Sequence, residues 1–463
     1  MDSTSRRATT CRLCGSADLE VFLDLGAQPA ADAFTVDRGP ELIWPLQVQA
    51  CNRCGWSQLT VVVKPEILYQ RDYPYEASTT AAGRAHFAAL AESAVERFSV
   101  APGRLAVDIG CNDGVLLAGL QNAGMRPWGI DPAENITALA KERGFSVVTD
   151  FFGVDAVRTL LAQAHEQAAL VTATNVFAHV DDLDGFMAGI DLLLAPDGVL
   201  IIEAPYFNDL VQNGEYDTIY HEHLSYLTLS PLVPFFAKHG FTLFDAEQTG
   251  IHGGSVRLFV QRADGKHQPK FLPPINPAAR YYHGQGGIVV EPSAEFLGWL
   301  PKTELERLML TEADNHIHTR DRRVRFTAEV ALNRKALRAL MLGLCTDGAK
   351  IAGISAPAKG MTLINSTGIG EYLEFLTEKS GQKVGKYAPG SRLPVLTDGA
   401  LTERGITHGL VLAWNFADEI IHNQRAFREA GGQFITPIPR PQILDADFMA
   451  ARRAILERQG AIA

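Results

Sequence analysis

The chain has 463 residues, of which 46% are hydrophobic and 21% are charged, a balance typical of globular proteins rather than of disordered chains. A chain of this length is too long for one ordinary core, so two or three domains are expected. The formal net charge of -11 argues against a broad surface for a nucleic acid polymer.

Membrane and secretion signals are not found in the sequence. No run approaches the ~20 apolar residues that a membrane span requires. Two arginines near the N-terminus are not followed by the apolar stretch of a secretory signal. We therefore expect a cytoplasmic protein with reduced thiols and no membrane partner.

Two Cys-x-x-Cys-Gly motifs lie near the N-terminus, at Cys11 and Cys14 and at Cys51 and Cys54. Each motif forms a tight turn that directs two thiolates at one point, and four thiolates match a tetrahedral zinc site. Two unrelated reduced pairs or disulfides are the alternatives. Because four thiolates leave no open coordination position, we predict one structural zinc ion in a zinc-binding module over residues 1–70.

The central part of the chain alternates between short apolar runs and helical segments from Leu105 onward. This alternation predicts a parallel, doubly wound sheet. Ser230 is then predicted to cap a helix that ends at Gly240. Two alternating runs flank the TGIHGG turn and predict a closing hairpin. Five parallel strands and a hairpin indicate a class I methyltransferase domain of the Rossmann type over residues 71–262.

The C-terminal part begins with an excursion over residues 263–302 that is rich in proline and glycine. It belongs to a connecting segment over residues 263–322. A long helix around Arg323–Leu344 and a second series of strands and helices follow. We therefore predict α/β architecture throughout, with a second Rossmann-like domain over residues 323–463.

A cofactor site is predicted at the first two strand ends of the central domain. Gly110 and Gly114 let the backbone approach a ligand, and the next helix offers free N–H groups. Asp108 can bind the ammonium group of S-adenosylmethionine (SAM), and Asp131 can accept its ribose hydroxyls. Similar features also serve NAD, but the GCNDG pattern and the hairpin favour SAM. Aromatic and carboxylate groups at the end of the third strand usually hold adenine, and here they are Asp150, Phe151 and Phe152. Phe152 could equally be a core residue.

The densest polar cluster, YDTIYHEHLSY, follows the fifth strand, where α/β enzymes build active sites. There are two alternatives: structural histidines with their hydrogen bonds made at a strand edge, and a metal site formed by the His-x-His pattern. Neither alternative explains the adjacent tyrosines. A proton-handling site is favoured, in which His223 is the base, Glu222 orients it and Tyr220 donates to an oxyanion. His221 shares a face with His223 in an extended segment, so geometry does not choose between them.

On these motifs the chain resembles the sugar C-methyltransferase family, whose members methylate C-3 of TDP-4-keto-deoxysugars. Besides the paired Cys-x-x-Cys turns, the motifs in chain order are YPYEAST from Tyr73, DIGCNDG from Asp108, NVFAHV from Asn175, YHEH from Tyr220, HGGSVR from His252, APAKG from Ala356 and YAPGSRLP from Tyr387.

The resemblance implies that His223 is the base of an enolate-forming reaction. It also implies that Tyr75 and His179 face the sugar, and that a nucleotide sugar, with TDP as the expected nucleotide, is held between the SAM domain and the C-terminal domain. The remaining predicted site residues are Asn112 and Asn175 for SAM, and Tyr206 and His252 for the acceptor. Asn112, Asn175 and His252 lie in these motifs, and Tyr206 belongs to the EAPY stretch at the end of the fifth strand.

Lysines of the C-terminal domain are candidates for binding the diphosphate of the acceptor. Lys359 opens a helix directly after a strand, and Lys383 and Lys386 add positive charge. For each of these three lysines, the alternative is a solvated surface side chain that binds no phosphate. Glu378, where the family usually has aspartate, and the long stretch over residues 263–302 depart from the family pattern, so the nucleotide and the sugar stay open.

Two other functions remain at this stage: an NAD-linked nucleotide-sugar oxidoreductase or epimerase, and a non-catalytic scaffold that binds zinc and a nucleotide. The Tyr-His-Glu-His cluster argues against the scaffold, which has no use for a base beside a methyl donor. The sequence leaves the oligomeric state open, a monomer included.

Overall fold

The computed structural model describes residues 4–70, 73–267, 281–284, 287–290 and 303–444. The chain divides into two compact units that interleave along the sequence. The first unit comprises Met1–Asp24, Leu46–Val211 and His221–Arg325, and the second comprises Leu25–Pro45, Gln212–Tyr220 and Phe326–Ala463. The domain boundaries at residues 70, 262 and 322 stay a prediction.

Short strands and two helices make up the N-terminal region. They are β1 (Ser5–Arg7), β2 (Leu19–Gln28), β3 (Trp44–Cys51), β4 (Ser57–Leu59), β5 (Val61–Val63), α1 (Pro65–Tyr69) and α2 (Ala81–Phe98). β1 pairs with β5, and β4 pairs with β3, both antiparallel. Thr80 caps α2 because its side chain accepts the N–H of Gly83 at 3.0 Å.

The central domain is a seven-stranded sheet with helices between its strands. Its strands are β6 (Leu105–Ile109), β7 (Arg126–Ile130), β8 (Ser146–Val148), β9 (Ala168–Thr174), β10 (Leu194–Pro205), β12 (Phe241–Thr249) and β13 (Ser255–Arg262). The order is β12-β13-β10-β9-β6-β7-β8. The first five are parallel, and β12 and β13 form the antiparallel hairpin that the sequence predicts.

The remaining elements of this region are α3 (Val115–Asn122), α4 (Glu134–Glu142), α5 (Val154–Ala164), α6 (Leu183–Leu193), α7 (Phe207–Asn213), β11 (Ser225–Tyr226) and α8 (Leu229–Lys238). β6 and β9 are buried along their whole length, as expected for strands of a parallel sheet covered on both faces.

The predicted Ser230 cap is wrong, because α8 begins at Leu229 with Thr228 at its N-cap. Ser230 lies in the first turn, and its N–H and hydroxyl donate to Glu312 at 3.2 and 2.8 Å. The other carboxylate oxygen of Glu312 accepts the N–H of Leu229 at 2.6 Å. A distant buried carboxylate therefore satisfies the helix terminus that a local serine was expected to satisfy. The predicted end of the helix is confirmed: Gly240, with φ +77°, follows it.

Glu312 belongs to a helix that lies within the predicted connecting segment over residues 263–322, where no helix was predicted. A hairpin of β14 (Tyr281–Gly284) and β15 (Gly287–Val290) precedes it, and the rest of the excursion lies largely outside the described residues. The helix, α9 (Glu304–Asp314), starts with a capping box between Thr303 and Glu306. That Thr-x-x-Glu pattern is a sequence signal that could have predicted it.

The second unit contains a six-stranded sheet in the order β18-β17-β16-β19-β20-β21. Its elements are α10 (Arg320–Thr346, which starts in the first unit), β16 (Ile351–Ile354), α11 (Ala358–Thr367), β17 (Leu376–Thr377), β18 (Val395–Leu396), α12 (Ala400–Glu403), β19 (His408–Val411), α13 (Ala417–Asn423), α14 (Arg425–Glu429), β20 (Gln433–Thr436) and β21 (Gln442–Leu444). All pairs are parallel except that of β20 and β21. The predicted second α/β domain and its long helix are confirmed. Within the described ranges, no helix is long and apolar enough to cross a membrane.

Candidate active site and zinc site

The four N-terminal cysteines converge on one point. Their sulfur atoms all lie within 4.8 Å of one another, with 3.5 Å between Cys11 and Cys54 and 3.6 Å between Cys14 and Cys51. A tetrahedron with Zn–S bonds of ~2.3 Å has sulfur–sulfur edges of ~3.8 Å. A disulfide needs ~2.05 Å. The donor set therefore fits one zinc ion bound by four thiolates, and not two disulfides.

The two cysteine turns have the same backbone hydrogen bond. Gly15 donates to the carbonyl of Cys11 at 2.9 Å, and Gly55 donates to that of Cys51 at 2.8 Å. Both glycines have positive φ, +71° and +80°, a conformation that glycine adopts without steric cost. The glycine in each motif is therefore a requirement of the turn.

The glycine-rich loop after β6 has three residues with positive φ: Gly110 at +71°, Asn112 at +50° and Gly114 at +85°. A Cβ atom at Gly110 would lie 2.3 Å from the Val176 side chain. The loop therefore needs glycine there for packing as well as for its backbone conformation. α3 begins directly after Gly114, so its free N–H groups are available at the loop.

Asp131, at the end of β7, holds this loop. Its Oδ2 accepts the N–H of Asn112 at 3.0 Å, and its Oδ1 accepts the N–H of Ala133 at 2.8 Å. Burial raises the pKa of this carboxyl, against the effect of the two N–H donors. Each carboxylate oxygen has a second lone pair, so the group can still accept the ribose hydroxyls that the sequence assigns to it.

Asp108, near the end of β6, is buried beside Thr172. The threonine hydroxyl donates to its Oδ1 at 2.6 Å. Burial raises the pKa of the Asp108 carboxyl to about 7, in spite of that hydrogen bond. A cation bound next to Asp108 would favour its ionised form, which fits the predicted role in binding an ammonium group.

The Asn112 side chain connects the loop to the Tyr75 segment. Its Nδ2 donates to the carbonyl of Tyr75 at 3.0 Å, and its Oδ1 accepts the N–H of Ala77 at 2.8 Å. The Tyr75 side chain is 43% exposed. Two predicted site residues, one assigned to SAM and one to the acceptor, are thus linked directly.

The predicted adenine contacts differ in their surroundings. Asp150 is exposed and accepts the N–H of Phe151 at 2.8 Å. The Phe152 ring packs on Phe186 of α6, with 4.9 Å between ring centroids. Phe152 thus packs on the core while remaining partly exposed. Asn175, with φ +56°, follows β9, and its N–H donates to the carbonyl of Glu203 at 2.7 Å.

Three aromatic rings pack in series beside the Tyr-His-Glu-His segment. The centroids of His179 and His223 are 5.1 Å apart, and Tyr69 stacks on His179 at 5.6 Å and 8°. The Tyr69 hydroxyl donates to the carbonyl of Glu222 at 3.1 Å. Sequence reasoning missed Tyr69, which ends the short helix α1 and has no recognisable motif of its own.

His179 is neutral near physiological pH, because burial lowers its pKa to about 4. Its Nε2 is buried and has no hydrogen-bond partner among the described residues. Buried polar atoms without partners are rare in native proteins, so this nitrogen suits a ligand. Next to it, His221, Glu222 and His223 are all buried. Tyr220 falls in the second unit and is half-buried.

Tyr206 and His252 of the first unit are also predicted to contact the acceptor. No described contact joins either residue to the three packed rings. The Tyr206 hydroxyl is buried and donates to Glu312 at 3.0 Å. Burial, and then the Glu312 charge, raise the pKa of this phenol, which fits a core residue that supports α8. The side chain of His252 lies outside the described ones.

Two of the three lysines predicted to bind the diphosphate, Lys383 and Lys359, already have side-chain partners. Lys383 donates to Asp32 and to the carbonyl of Ala356, both at 2.9 Å. Lys359 lies over the Trp414 ring, with 4.5 Å from Nζ to its centroid. Burial lowers the pKa of Lys359, and the charge of Asp217 opposes this effect only in part. Lys386 is half-buried. Their binding of a diphosphate stays a prediction.

Glu378, the departure from the family pattern, supports the turn after β16. Its Oε2 accepts the N–H of Ala356 at 3.0 Å, and its Oε1 accepts the N–H of Lys379 at 2.7 Å. The Ala356 carbonyl is also the acceptor for Lys383. Glu378 and Lys383 therefore both hold Ala356, one through its N–H and the other through its carbonyl.

Comparison with known proteins gives three matching family models. They describe a zinc binding domain over residues 11–69, a methyltransferase domain over residues 84–246 and a C-methyltransferase C-terminal domain over residues 293–439. Among curated proteins, the C-methyltransferase NovU of Streptomyces niveus is 33% identical over 451 residues, which are 96% of this chain and 99% of that protein.

Two solved structures are similar over about two fifths of this chain. Magnesium protoporphyrin IX methyltransferase of Synechocystis PCC 6803 with bound SAM is 19% identical, covers 39% of this chain and 79% of that chain, and has a TM-score of 0.29. A SAM-dependent methyltransferase of Clostridium acetobutylicum is 12% identical, covers 39% and 92%, and has a TM-score of 0.31. These scores are too low to support an argument about the acceptor.

Proposed function

Since the chain belongs to the C-methyltransferase family, we propose that this zinc-containing, SAM-dependent enzyme methylates the carbon next to the ketone of a nucleotide-activated keto-deoxysugar, with TDP as the expected nucleotide, through an enolate. The family motifs YPYEAST and YHEH support this class of acceptor. Membership in this family decides against the NAD-linked and scaffold alternatives.

The single observation that carries the proposal is the pair formed by His179 and His223, 5.1 Å apart between ring centroids. His179 is neutral because burial lowers its pKa to about 4, so it can hydrogen-bond to an uncharged sugar without adding a positive charge. A neutral His179 places no like charge beside protonated His223. The pair therefore offers a hydrogen-bonding group and a base side by side.

In the proposed reaction, His223 removes the proton from the carbon next to the ketone. The electron pair of the broken C–H bond moves into the carbonyl group and forms the enolate. Such a proton is too weakly acidic to be removed without donors aimed at the carbonyl oxygen, each worth about 3–4 kcal/mol. We assign this donor role to Tyr220, and we assign to Glu222 the stabilisation of protonated His223.

SAM, when bound, supplies an electrophilic methyl group on its sulfonium sulfur. Asp131 and Asp108 are the residues proposed to hold it, by its ribose and its ammonium group. Asn112 positions the Tyr75 segment beside the same loop. The side-chain hydrogen bonds of Asn112 would thereby help to orient the methyl donor and the sugar acceptor relative to each other.

A panel of nucleotide keto-sugars tests the proposal. Each compound is incubated with SAM and the full chain, and the products are analysed by mass spectrometry. A TDP-4-keto-deoxysugar should gain one methyl group on carbon, and the His223→Asn variant should give none above background. Methylation of other compounds with every keto-sugar untouched would contradict it.

A further inference from the structure

We propose that Arg12 is a positioning residue that ties the first zinc turn to the segments that carry His179 and His223. The inference rests on the proposed function, because it assigns Arg12 to the support of that catalytic pair. Arg12 lies between two of the zinc ligands, Cys11 and Cys14, and does not itself offer a ligand atom.

The Arg12 side chain is 4% exposed and reaches two different segments. Its Nε donates to Asp181 Oδ1 at 3.1 Å, and its Nη1 donates to the carbonyl of Leu224 at 3.0 Å. Asp181 is two residues after His179, and Leu224 directly follows His223. One guanidinium group thus binds a residue close in sequence to His179 and a residue next to His223.

A second connection joins the zinc module to the same carbonyl. The N–H of Leu59 donates to Leu224 at 3.0 Å, and β4 then pairs antiparallel with β11 through Ser225 and Tyr226. The Leu224 carbonyl therefore accepts from both the zinc turn and β4. Both of its lone pairs are used by the zinc module.

Gln58 of β4 completes the connection. Its Oε1 accepts the N–H of Arg12, and its Nε2 donates to the carbonyl of Thr10, both at 2.9 Å. Gln58 is fully buried. Hydrogen bonds thus join the zinc turn to β4 and to the segment after His223. A zinc ion that fixes the turn would also fix the backbone position from which the Arg12 side chain extends.

Only arginine has the shape for this role. Its planar guanidinium presents several donors in a rigid fork, whereas lysine offers a single point charge. Lysine at position 12 could keep the charge near Asp181 but could not also hold the Leu224 carbonyl in the same geometry. A misplacement of about 1 Å in a supporting residue can lower a rate by about 100-fold.

Three variants test the assignment: Arg12→Met, Arg12→Lys and the control Arg53→Met. Arg53 lies in the second zinc turn but is exposed, and its side chain forms no hydrogen bond or ion pair within the described parts of the chain. For each protein we would measure zinc per chain, the Kd for SAM, and kcat and KM for methyl transfer to the active keto-sugar.

We expect all three variants to keep one zinc ion and a SAM Kd within about twofold of wild type. Both Arg12 variants should lose about 10–100-fold in kcat, while Arg53→Met keeps the wild-type kcat. Wild-type kcat in zinc-loaded Arg12→Met would overturn the inference. Loss of zinc from both Arg12 variants but not from Arg53→Met would also overturn it, because Arg12 would then serve the zinc turn itself.

An acceptor-independent measurement separates this inference from the proposed function. The ring ¹H–¹⁵N signals of His179 and His223, assigned through substitution of each, should shift in Arg12→Met and stay in place in Arg53→Met. If wild type methylates no keto-sugar but these shifts occur, the proposed function fails and the positioning role stands. If methylation is normal and the ring signals do not move, the positioning role fails alone.

Discussion

The Asp131 carboxylate accepts the backbone N–H of Asn112 at 3.0 Å, so the acid at the end of β7 fixes the conformation of the glycine-rich loop after β6. Asn112 in turn fixes the backbone of Tyr75 and Ala77 through its side-chain amide. One chain of hydrogen bonds therefore runs from the predicted ribose acid to a predicted acceptor contact.

Replacement of Asp131 by alanine should weaken SAM binding by about 1.5–3 kcal/mol, the range for a lost hydrogen bond to a charged group. The variant also loses the two N–H contacts that hold the loop. Calorimetric titration with SAM measures the change, and Glu142→Ala, at an exposed carboxylate at the end of α4, is the control. An unchanged Kd in folded Asp131→Ala would remove Asp131 from the site.

The affinity for SAM should rise with pH around 7. Burial raises the pKa of Asp108 to about 7, so the group is mostly neutral at pH 6 and mostly ionised at pH 8. If the ammonium group of SAM binds the ionised form, the Kd at pH 6 should be about fivefold weaker than at pH 7, above which the α-amino group of SAM, with a pKa of about 7.7–8.0, begins to lose its own proton. Asp108→Asn should bind weakly and without this pH dependence; a pH-independent Kd in wild type would contradict the role of Asp108.

The Asn112→Gly variant should loosen the Tyr75 segment while leaving the loop conformation accessible, because glycine also adopts the positive φ of this position. The N–H of Ala77 would lose its acceptor and should exchange faster with solvent. Hydrogen exchange of a peptide covering residues 73–79 measures this, with a peptide from β9 as the internal control. Unchanged protection at Ala77 would show that another group holds the segment.

Removal of the zinc ion should destabilise the N-terminal module, because a four-thiolate site contributes directly to folding. Freshly purified protein should contain one zinc per chain, and Cys51→Ala should lose zinc and unfold at a lower temperature. Cys345→Ser, outside the cluster, should retain both properties. Purified wild type without zinc by elemental analysis would contradict the assignment.

Local patterns predicted the parts of the molecule that depend on neighbouring residues. The Cys-x-x-Cys-Gly turns, the glycine-rich loop and the hairpin of β12 and β13 are examples, since each is defined by contacts within a few residues or by strand periodicity. The same holds for the two α/β sheets.

Long-range contacts could not be derived in this way. The carboxylate of Glu312 satisfies the N-terminus of α8 from 82 residues away along the chain, and no local signal points to that pairing. Tyr69 contacts the Glu222 carbonyl across 153 residues. The sequence offers Lys383 as a candidate for the diphosphate or as a solvated surface lysine, and neither interpretation points to its pairing with Asp32, 351 residues away.

The most direct test of the proposed chemistry is solvent deuterium exchange at the carbon next to the ketone of the acceptor, run without the methyl donor. Wild type should exchange this hydrogen, and His223→Asn, which keeps size and some hydrogen bonding, should exchange it about 10²–10⁴-fold more slowly. His221→Asn should exchange close to the wild-type rate. Persistence of exchange in His223→Asn together with its loss in His221→Asn would assign the base to His221, and normal exchange in both variants would contradict the mechanism.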